Sequence, residues 1–351
     1  MLDDFDIGAG VEPLLEWFSG HARILPWRTD AAPYRVWISE IMLQQTRVEA
    51  VKSYFERFVK ELPDISSLAS CPEDKLLKLW EGLGYYNRAR NLKAAAGQIM
   101  EKYDGIMPAD YEELLKLKGI GHYTAGAVAS IAYGKKVPAV DGNVLRVITR
   151  LTGDSTDIMK QGFRICVEEA VKKVMPDGQC GAFNQALMEL GAIVCVPNGE
   201  PKCTECPWET ICTAHKKGRE TDYPVKKKPK ERRIEDRTIL VIRDGERVIL
   251  RKRPLRGLLA GMYEFPGREG HLTEKEALRV VEEMGLLPLR IRSLPEAKHV
   301  FSHVEWHMSG YLINVAQMPE APEGLLLAEK AQVEREYAVP AAYGVYMKEI
   351  N

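Results

Sequence analysis

Between Pro33 and Phe58 the apolar residues Trp37, Ile41, Val48, Val51, Phe55 and Phe58 recur at steps of three, four and seven. That spacing is close to the 3.6-residue period of an α-helix and predicts one buried helical stripe. Pro33 suits its start, where a missing amide is tolerated. The motif SEIMLQQT (Ser39 to Thr46) breaks the apolar run with a carboxylate and two amides, and Glu40, Gln44 and Arg47 form a second, polar stripe. It is either a solvated face, the usual fate of glutamate, or a carboxylate aimed into a cleft. The local pattern leaves both open. Amphipathic segments continue to about residue 220, joined by turns such as Leu62-Pro63-Asp64, Gly82-Leu83-Gly84 and Pro108-Ala109-Asp110. At YPVKKKPKERR (Tyr223 to Arg233) the texture changes to prolines and lysines, a linker composition. Beyond it, Thr238 to Ile242 and Val248 to Leu250 read as strands around the turn Asp244-Gly245, and Val300 to Val315 as two more. Thr273 to Met284 reads as a helix closed by Gly285. The expected organisation is an all-α domain over residues 1–222, a basic linker over 223–235 and a smaller α+β domain over 236–351, with no internal repeat.

With 351 residues the chain accommodates two domains, and 45% hydrophobic against 28% charged residues is a globular composition. The net charge of −1 gives no argument for nucleic-acid binding, but His215 to Arg233 holds nine Lys or Arg against three acids. The opening MLDDFDIGAG is acidic and lacks a signal-peptide pattern, and no apolar run approaches a membrane span. The expectation is a cytoplasmic protein. Of seven cysteines, Cys71, Cys166 and Cys180 are scattered, whereas Cys195, Cys203, Cys206 and Cys212 fall within 18 residues. Such clustering suits a metal site better than a disulfide framework. Four thiolates serve zinc or an iron–sulfur cluster, but a zinc ribbon usually has two CxxC knuckles and only one is present.

Leu117-Lys118-Gly119-Ile120-Gly121-His122-Tyr123-Thr124 lies between two helical segments, Tyr111 to Leu117 and Thr124 to Tyr133. Gly119 and Gly121 permit a tight turn that offers backbone N–H groups to an anion such as a DNA phosphate. A plain helix corner is the alternative. The next loop ends in Asp141, placed to cap a helix that runs to Leu151.

A helix–hairpin–helix at about 111–133, followed by a Gly/Pro-containing loop ending in aspartate, resembles the base-excision DNA glycosylase superfamily. LPWR (Leu25 to Arg28), SEIMLQQTRV (Ser39 to Val48), EGLGYYNRARNL (Glu81 to Leu92), VDGNVLRV (Val140 to Val147) and FNQALMELGA (Phe183 to Ala192) narrow the resemblance to the MutY-type adenine DNA glycosylases. Gly257 to Gly267 and the helix after it resemble a Nudix domain. Its hydrolase signature is broken, with Leu278-Arg279 where an Arg-Glu pair belongs. The resemblance implies an all-α helix–hairpin–helix glycosylase domain with an iron–sulfur cluster loop, plus a smaller α+β Nudix-like domain.

Hydrolysis of an adenine N-glycosidic bond needs a proton on the departing purine and negative charge near the sugar cation. The resemblance puts Glu40 in the acid role and Asp141, with Asn143 beside it, at the sugar. Tyr123 stands where lyase-competent relatives carry an amine, implying a monofunctional enzyme; Lys118 lies on the wrong side of the turn. The flipped adenine would meet Trp27, Arg28, Leu43 and Gln185. Gln45, Tyr85 and Arg88 would touch DNA, Tyr85 as a wedge, with Gly119 and Gly121 at phosphates. Cys195, Cys203, Cys206 and Cys212 would hold one four-iron four-sulfur cluster, although the first gap has seven residues against the family's six. Phe301, Ser302 and His303 would read 8-oxoguanine opposite the adenine, Phe301 wedging beside the base; an ordinary amphipathic strand is the alternative there. The implied partner is double-stranded DNA carrying adenine opposite 8-oxoguanine or guanine, bound by a monomer with no membrane attachment.

Overall fold

The computed structural model describes residues 6–227, 231–317 and 319–350. The chain forms two compact units: Met1–Ser70 with Arg90–Lys228, and Cys71–Ala89 with Pro229–Asn351. The second grouping departs from the expected split at residue 222, because the stretch 71–89 makes its contacts with C-terminal residues. The expected linker is also shorter than 223–235. Tyr223 is buried, the Val225 carbonyl accepts the Ile158 N–H at 3.2 Å, and a strand begins at Arg233. Of that stretch, Lys228, Pro229 and Lys230 lie outside the described residues.

The first unit is helical. Its elements are α1 (Val11–His21), α2 (Pro33–Leu43), α3 (Val48–Glu61), α4 (Ile65–Ser70), α6 (Asn87–Lys102), α7 (Tyr111–Leu115), α8 (His122–Ala127), α9 (Gly142–Thr152), α10 (Gln161–Val174), α11 (Cys180–Ile193) and α12 (Thr213–Lys216). α5 (Glu73–Trp80) and the first residues of α6 fall in the second unit. The stripe from Trp37 to Phe58 is therefore two helices rather than one. The chain breaks at Gln44 to Arg47, with Gln45 at φ +58°, and the Gln44 amide donates to Thr124 Oγ1 at 3.3 Å. No glycine or proline marks that break, so a periodicity argument passes over it. The helix expected from Thr124 to Tyr133 likewise gives way to a π-turn over Val128–Ala132.

The core of this unit joins the apolar face of α9 (Val144, Val147, Ile148, Leu151) to Phe183, Leu187 and Leu190 of α11 and to Leu14 and Trp17 of α1. α9 starts at Asp141, whose side chain accepts the Val144 N–H, and stops at Gly153 in the left-handed region, φ +68°. The loop before Asp141 is fixed from two sides. Fully buried Asn184 accepts the Ala139 N–H at 3.0 Å and donates to Ser130 Oγ at 2.7 Å and the Val137 carbonyl at 2.9 Å. Gly126 lies so close that a Cβ there would stand 2.1 Å from the Pro138 carbonyl oxygen.

The second unit is built on a sheet of β1 (Arg233–Asp244), β2 (Arg247–Lys252), β3 (Tyr263–Glu264), β4 (Gly267–Glu269), β5 (Pro288–Val300), β6 (Val304–Val315) and β7 (Leu326–Glu329). The order is β3-β2-β1-β6-β5, with β4 on β1 and β7 on β2; β1 and β6 run parallel. The apolar run Thr238 to Ile242 has no polar alternation because both faces are covered. Ile239 and Val241 pack with Trp306, Tyr343 and Tyr346, while Leu240 and Ile242 pack with Ala277, Val280 and Val281 of α13 (Glu274–Glu283). The two strands expected between Val300 and Val315 are one, β6, paired with the end of β5. Short helices α14 (Lys330–Arg335) and α15 (Gly344–Met347) complete the unit.

Candidate active site

A cavity of about 470 Å³ opens in the helical unit, and it collects most of the residues named there from the sequence: Trp27, Arg28, Glu40, Leu43, Gln45, Tyr123, Asp141, Asn143 and Gln185. Glu40 settles the question raised by its stripe. It is 6% exposed and faces this cavity from the last turns of α2. Burial pushes its carboxyl up to about 7; the Asp141 charge adds to the effect, while the Tyr123 hydroxyl and Arg28 work against it. Tyr123 donates its hydroxyl to Glu40 Oε2 and rests 3.2 Å from Met188 Sδ.

Asp141 is held by its Oδ1 on the Val144 N–H at 2.8 Å and its Oδ2 on the Asn143 side-chain amide at 2.7 Å. Burial pushes it upward too, and these donors and Arg146 oppose that rise. Arg146 spans the space behind: Nη2 donates to Asn143 Oδ1 at 2.8 Å and the Gly191 carbonyl at 2.7 Å, and Nε to the Cys195 carbonyl at 2.8 Å. Gly191 permits this approach, since a Cβ there would lie 2.6 Å from Asn143 Cβ.

On the opposite wall Arg28 pairs with Glu189 at 2.8 Å and lies over the Phe18 ring. Glu189 also takes Arg23 through both oxygens. Burial alone would push Glu189 up, but the hydrogen bonds from Arg23 and Arg28 overrule it and hold it at about 2. Trp27 is buried edge-on against Phe55. Sequence reasoning missed Arg23, Arg164, Met188 and Glu189 among the lining residues. A signal was present for two of them: Gln185, Met188, Glu189 and Ala192 share one helical face of FNQALMELGA. Arg164 had none; its Nη1 donates to the Val140 carbonyl at 2.8 Å, next to Asp141.

The hairpin forms as expected. Gly119 has φ +77° and packs so that a Cβ would meet Asn91 Cβ at 2.6 Å. Gly119 and Gly121 are exposed while Ile120 is buried between them.

Cys195, Cys203, Cys206 and Cys212 converge: each of the last three thiols is pushed up first by burial and further by the charge of its neighbours in the set, Cys203 to about 11 and Cys206 to about 12. Grouped, half-buried sulfurs of this kind are thiols without a cation and good soft ligands with one. Arg150 Nη1 lies 3.3 Å from Cys195 Sγ, and His215 and Glu220 stand beside Cys203. The seven-residue first gap forms an exposed loop around Gly199, closed by the Lys202 N–H on the Val194 carbonyl at 3.0 Å.

In the second unit Phe301, Ser302 and His303 form the turn between β5 and β6, closed by the Phe301 N–H on the Val304 carbonyl at 2.8 Å, and not the interior of a strand. The Phe301 ring packs edge-on against Trp306 and His299 and anchors the turn. Ser302 and His303 are exposed. Tyr85 is 47% exposed at φ +48°, a strained conformation for a non-glycine residue. Its hydroxyl lies 3.5 Å from Ser302 Oγ. Arg88 supports this loop. It is 9% exposed, donates to the Leu83 and Gly84 carbonyls at 3.1 Å each, and sits against the Tyr85 and Trp80 rings.

Residues 38–173 match the family described as HhH-GPD superfamily base excision DNA repair protein, and residues 238–349 match the NUDIX domain. The adenine DNA glycosylase of Mus musculus is 33% identical over 382 residues, covering 92% of this chain and 74% of its own length. That of Buchnera aphidicola subsp. Baizongia pistaciae is 33% identical over 302 residues, covering 85% of this chain and 84% of its own. Among solved structures, a thermostable thymine-DNA glycosylase superposes with a TM-score of 0.55 at 32% identity, over 60% of this chain and 96% of its own. Endonuclease III trapped covalently on DNA superposes with a TM-score of 0.52 at 25% identity, over 61% of this chain and 99% of its own.

Proposed function

Since the chain belongs to the adenine DNA glycosylases, a family of base-excision repair hydrolases, we propose that its substrate is adenine mispaired with 8-oxoguanine or guanine in duplex DNA, and that it leaves an abasic site without cutting the strand. The observation that carries this reading is the meeting of two buried carboxyl groups in one cavity: Glu40, raised to about 7 and held by the Tyr123 hydroxyl, and Asp141, held by donors on both oxygens.

Near neutral pH a large fraction of Glu40 carries its proton. It donates that proton to adenine N7, which turns the purine into a competent leaving group. The Tyr123 hydroxyl fixes the carboxyl orientation. As the glycosidic bond stretches, positive charge builds on the sugar, and the Asp141 carboxylate meets it from the head of α9. Glu40, now ionised, takes a proton from the water that completes the hydrolysis. The extruded adenine enters the cavity lined by Trp27, Arg28, Leu43 and Gln185. Tyr123 offers no amine, so no Schiff base forms at that position.

Cys195, Cys203, Cys206 and Cys212 would hold a four-iron four-sulfur cluster; when bound it supplies a rigid staple for the basic segment of Lys202, Lys216 and Lys217, which faces phosphates. Ser302, His303 and Tyr85 read the base opposite adenine. No helix among the described residues is long and apolar enough to cross a membrane, and the enzyme works as a monomer on DNA in the cytoplasm. The test is direct. Duplexes carrying adenine opposite 8-oxoguanine, guanine or thymine are incubated with protein, then treated with alkali or with borohydride. Alkali-dependent breaks opposite 8-oxoguanine and guanine, with little borohydride trapping, are expected. Equal excision opposite thymine, or efficient trapping by the wild type, would overturn the assignment.

A further inference from the structure

The helix α5 and the loop after it carry three polar side chains that all engage the C-terminal part of their own unit. Asp74 accepts Lys252 Nζ at 2.7 and 2.9 Å and the Tyr263 hydroxyl at 3.3 Å. Lys78 Nζ donates to the carbonyls of Val333 at 3.0 Å and Tyr337 at 3.1 Å and to Glu81 Oε2 at 2.6 Å. Glu81 Oε1 accepts the Val339 N–H at 2.7 Å. An ammonium has three hydrogens to give, and Lys78 places each on a separate acceptor with its side chain only 17% exposed. Two of those acceptors are backbone carbonyls at and just beyond the end of α14, where a cation is favoured. This is a directed contact, unlike an exposed ion pair worth little.

Four residues after Glu81 comes Tyr85. Its positive φ is a conformation that persists only where the surroundings over-determine it. Arg88 supplies part of that support through the Leu83 and Gly84 carbonyls, and the Trp80 indole N–H adds a bond to Gly84 at 3.1 Å. Glu81, at the start of the same turn, is tied to Val339 on the segment that follows α14. We infer that Asp74, Lys78 and Glu81 are a latch through which the β-sheet part of the unit sets the Tyr85 loop. They are positioning residues: discrimination at the base opposite adenine depends on them through Tyr85. The inference rests on the reading of Tyr85 and Ser302 given above, and it explains why the stretch 71–89 groups with the C-terminal residues.

The experiment uses the full-length protein as purified. Lys78→Met and Glu81→Gln are each made alone and together with Tyr85→Ser, and single-turnover excision is measured opposite 8-oxoguanine and opposite guanine. Each latch substitution is expected to lower the preference for 8-oxoguanine about five- to tenfold, the range of a coupling between neighbouring groups. In the Tyr85→Ser background it should add little. Additive losses, or an unchanged preference with the fold intact by thermal melting, would overturn the latch. Should Lys78→Met fail to fold, Lys252→Met removes only the half-exposed end of the Asp74 pair and repeats the comparison. A wild type with no preference for 8-oxoguanine would instead sink the substrate reading, and the coupling of Lys78 to Tyr85 would still be measured on the guanine mispair.

Discussion

Glu40 is a carboxyl group held in a place that suits its proton and not its charge. In the unfolded chain it titrates near 4.5, and in the fold near 7. Below about 4.5 both states are protonated and the site costs nothing. Above about 7 both are ionised and the folded state bears the full desolvation penalty. Glu40→Gln keeps the acceptor for the Tyr123 hydroxyl but has no proton to give. It is expected to abolish excision while binding duplex DNA. It should also raise stability by about 1–3 kcal/mol above pH 7, a gain that vanishes towards pH 4.5. Thermal melts across that range, beside single-turnover assays, check both halves. In the wild type, excision should decline about tenfold per pH unit above about 7, following loss of the Glu40 proton; a flat profile from pH 6 to 9 would remove Glu40 from the acid role. Tyr123→Lys should gain borohydride trapping, because it brings an amine to the cavity. The new ammonium would also favour ionised Glu40, so base excision itself should slow.

At the scale of elements, the residues of the cavity owe their places to close backbone approaches. α8 and the loop before Asp141 touch where Gly126 faces the Pro138 carbonyl, and Asn184 of α11 ties the same loop from the other side. Gly126→Ala must displace that loop. The expected loss is about 1–3 kcal/mol of stability from overpacking, with excision falling further than duplex affinity because Asp141 moves. A melt together with separate binding and single-turnover measurements distinguishes this from simple unfolding. The segment from Cys195 to Cys212 has only short turns of its own, so its order depends on what the sulfurs hold. Protein isolated without added metal should be yellow-brown and carry about four irons. Stoichiometric zinc without iron, after anaerobic purification, would reassign the site.

At the scale of the molecule, the stretch 71–89 shares a unit with the C-terminal residues. A chain ending at Lys227 therefore loses the partners of Asp74, Lys78 and Glu81. Limited proteolysis is expected to cut between residues 71 and 89 in that truncated chain and to spare the stretch in the full one; equal protection in both would mean that α5 needs nothing from the sheet. The sequence by itself determined the helical first part, the strand-rich second part, the capping of α9 by Asp141 and the grouping of the cysteines. Each of these follows from spacing along the chain, through the helical period, cap chemistry or ligand repeats. The family motifs pointed further, to Glu40, Tyr123 and Asp141 as the cavity's chemical groups. Only the tertiary structure decided whether Glu40 faces water or a cleft, because burial depends on what packs over a helix and not on the helix itself. It alone broke the stripe at Gln44 to Arg47, packed Arg88 and Phe301 into the turns they hold, and set Glu189 between Arg23 and Arg28. The same holds for the division into units. Contacts such as Lys78 on the Val333 carbonyl join residues 255 positions apart, and a pattern read over one or two turns of helix carries no information about such a partner.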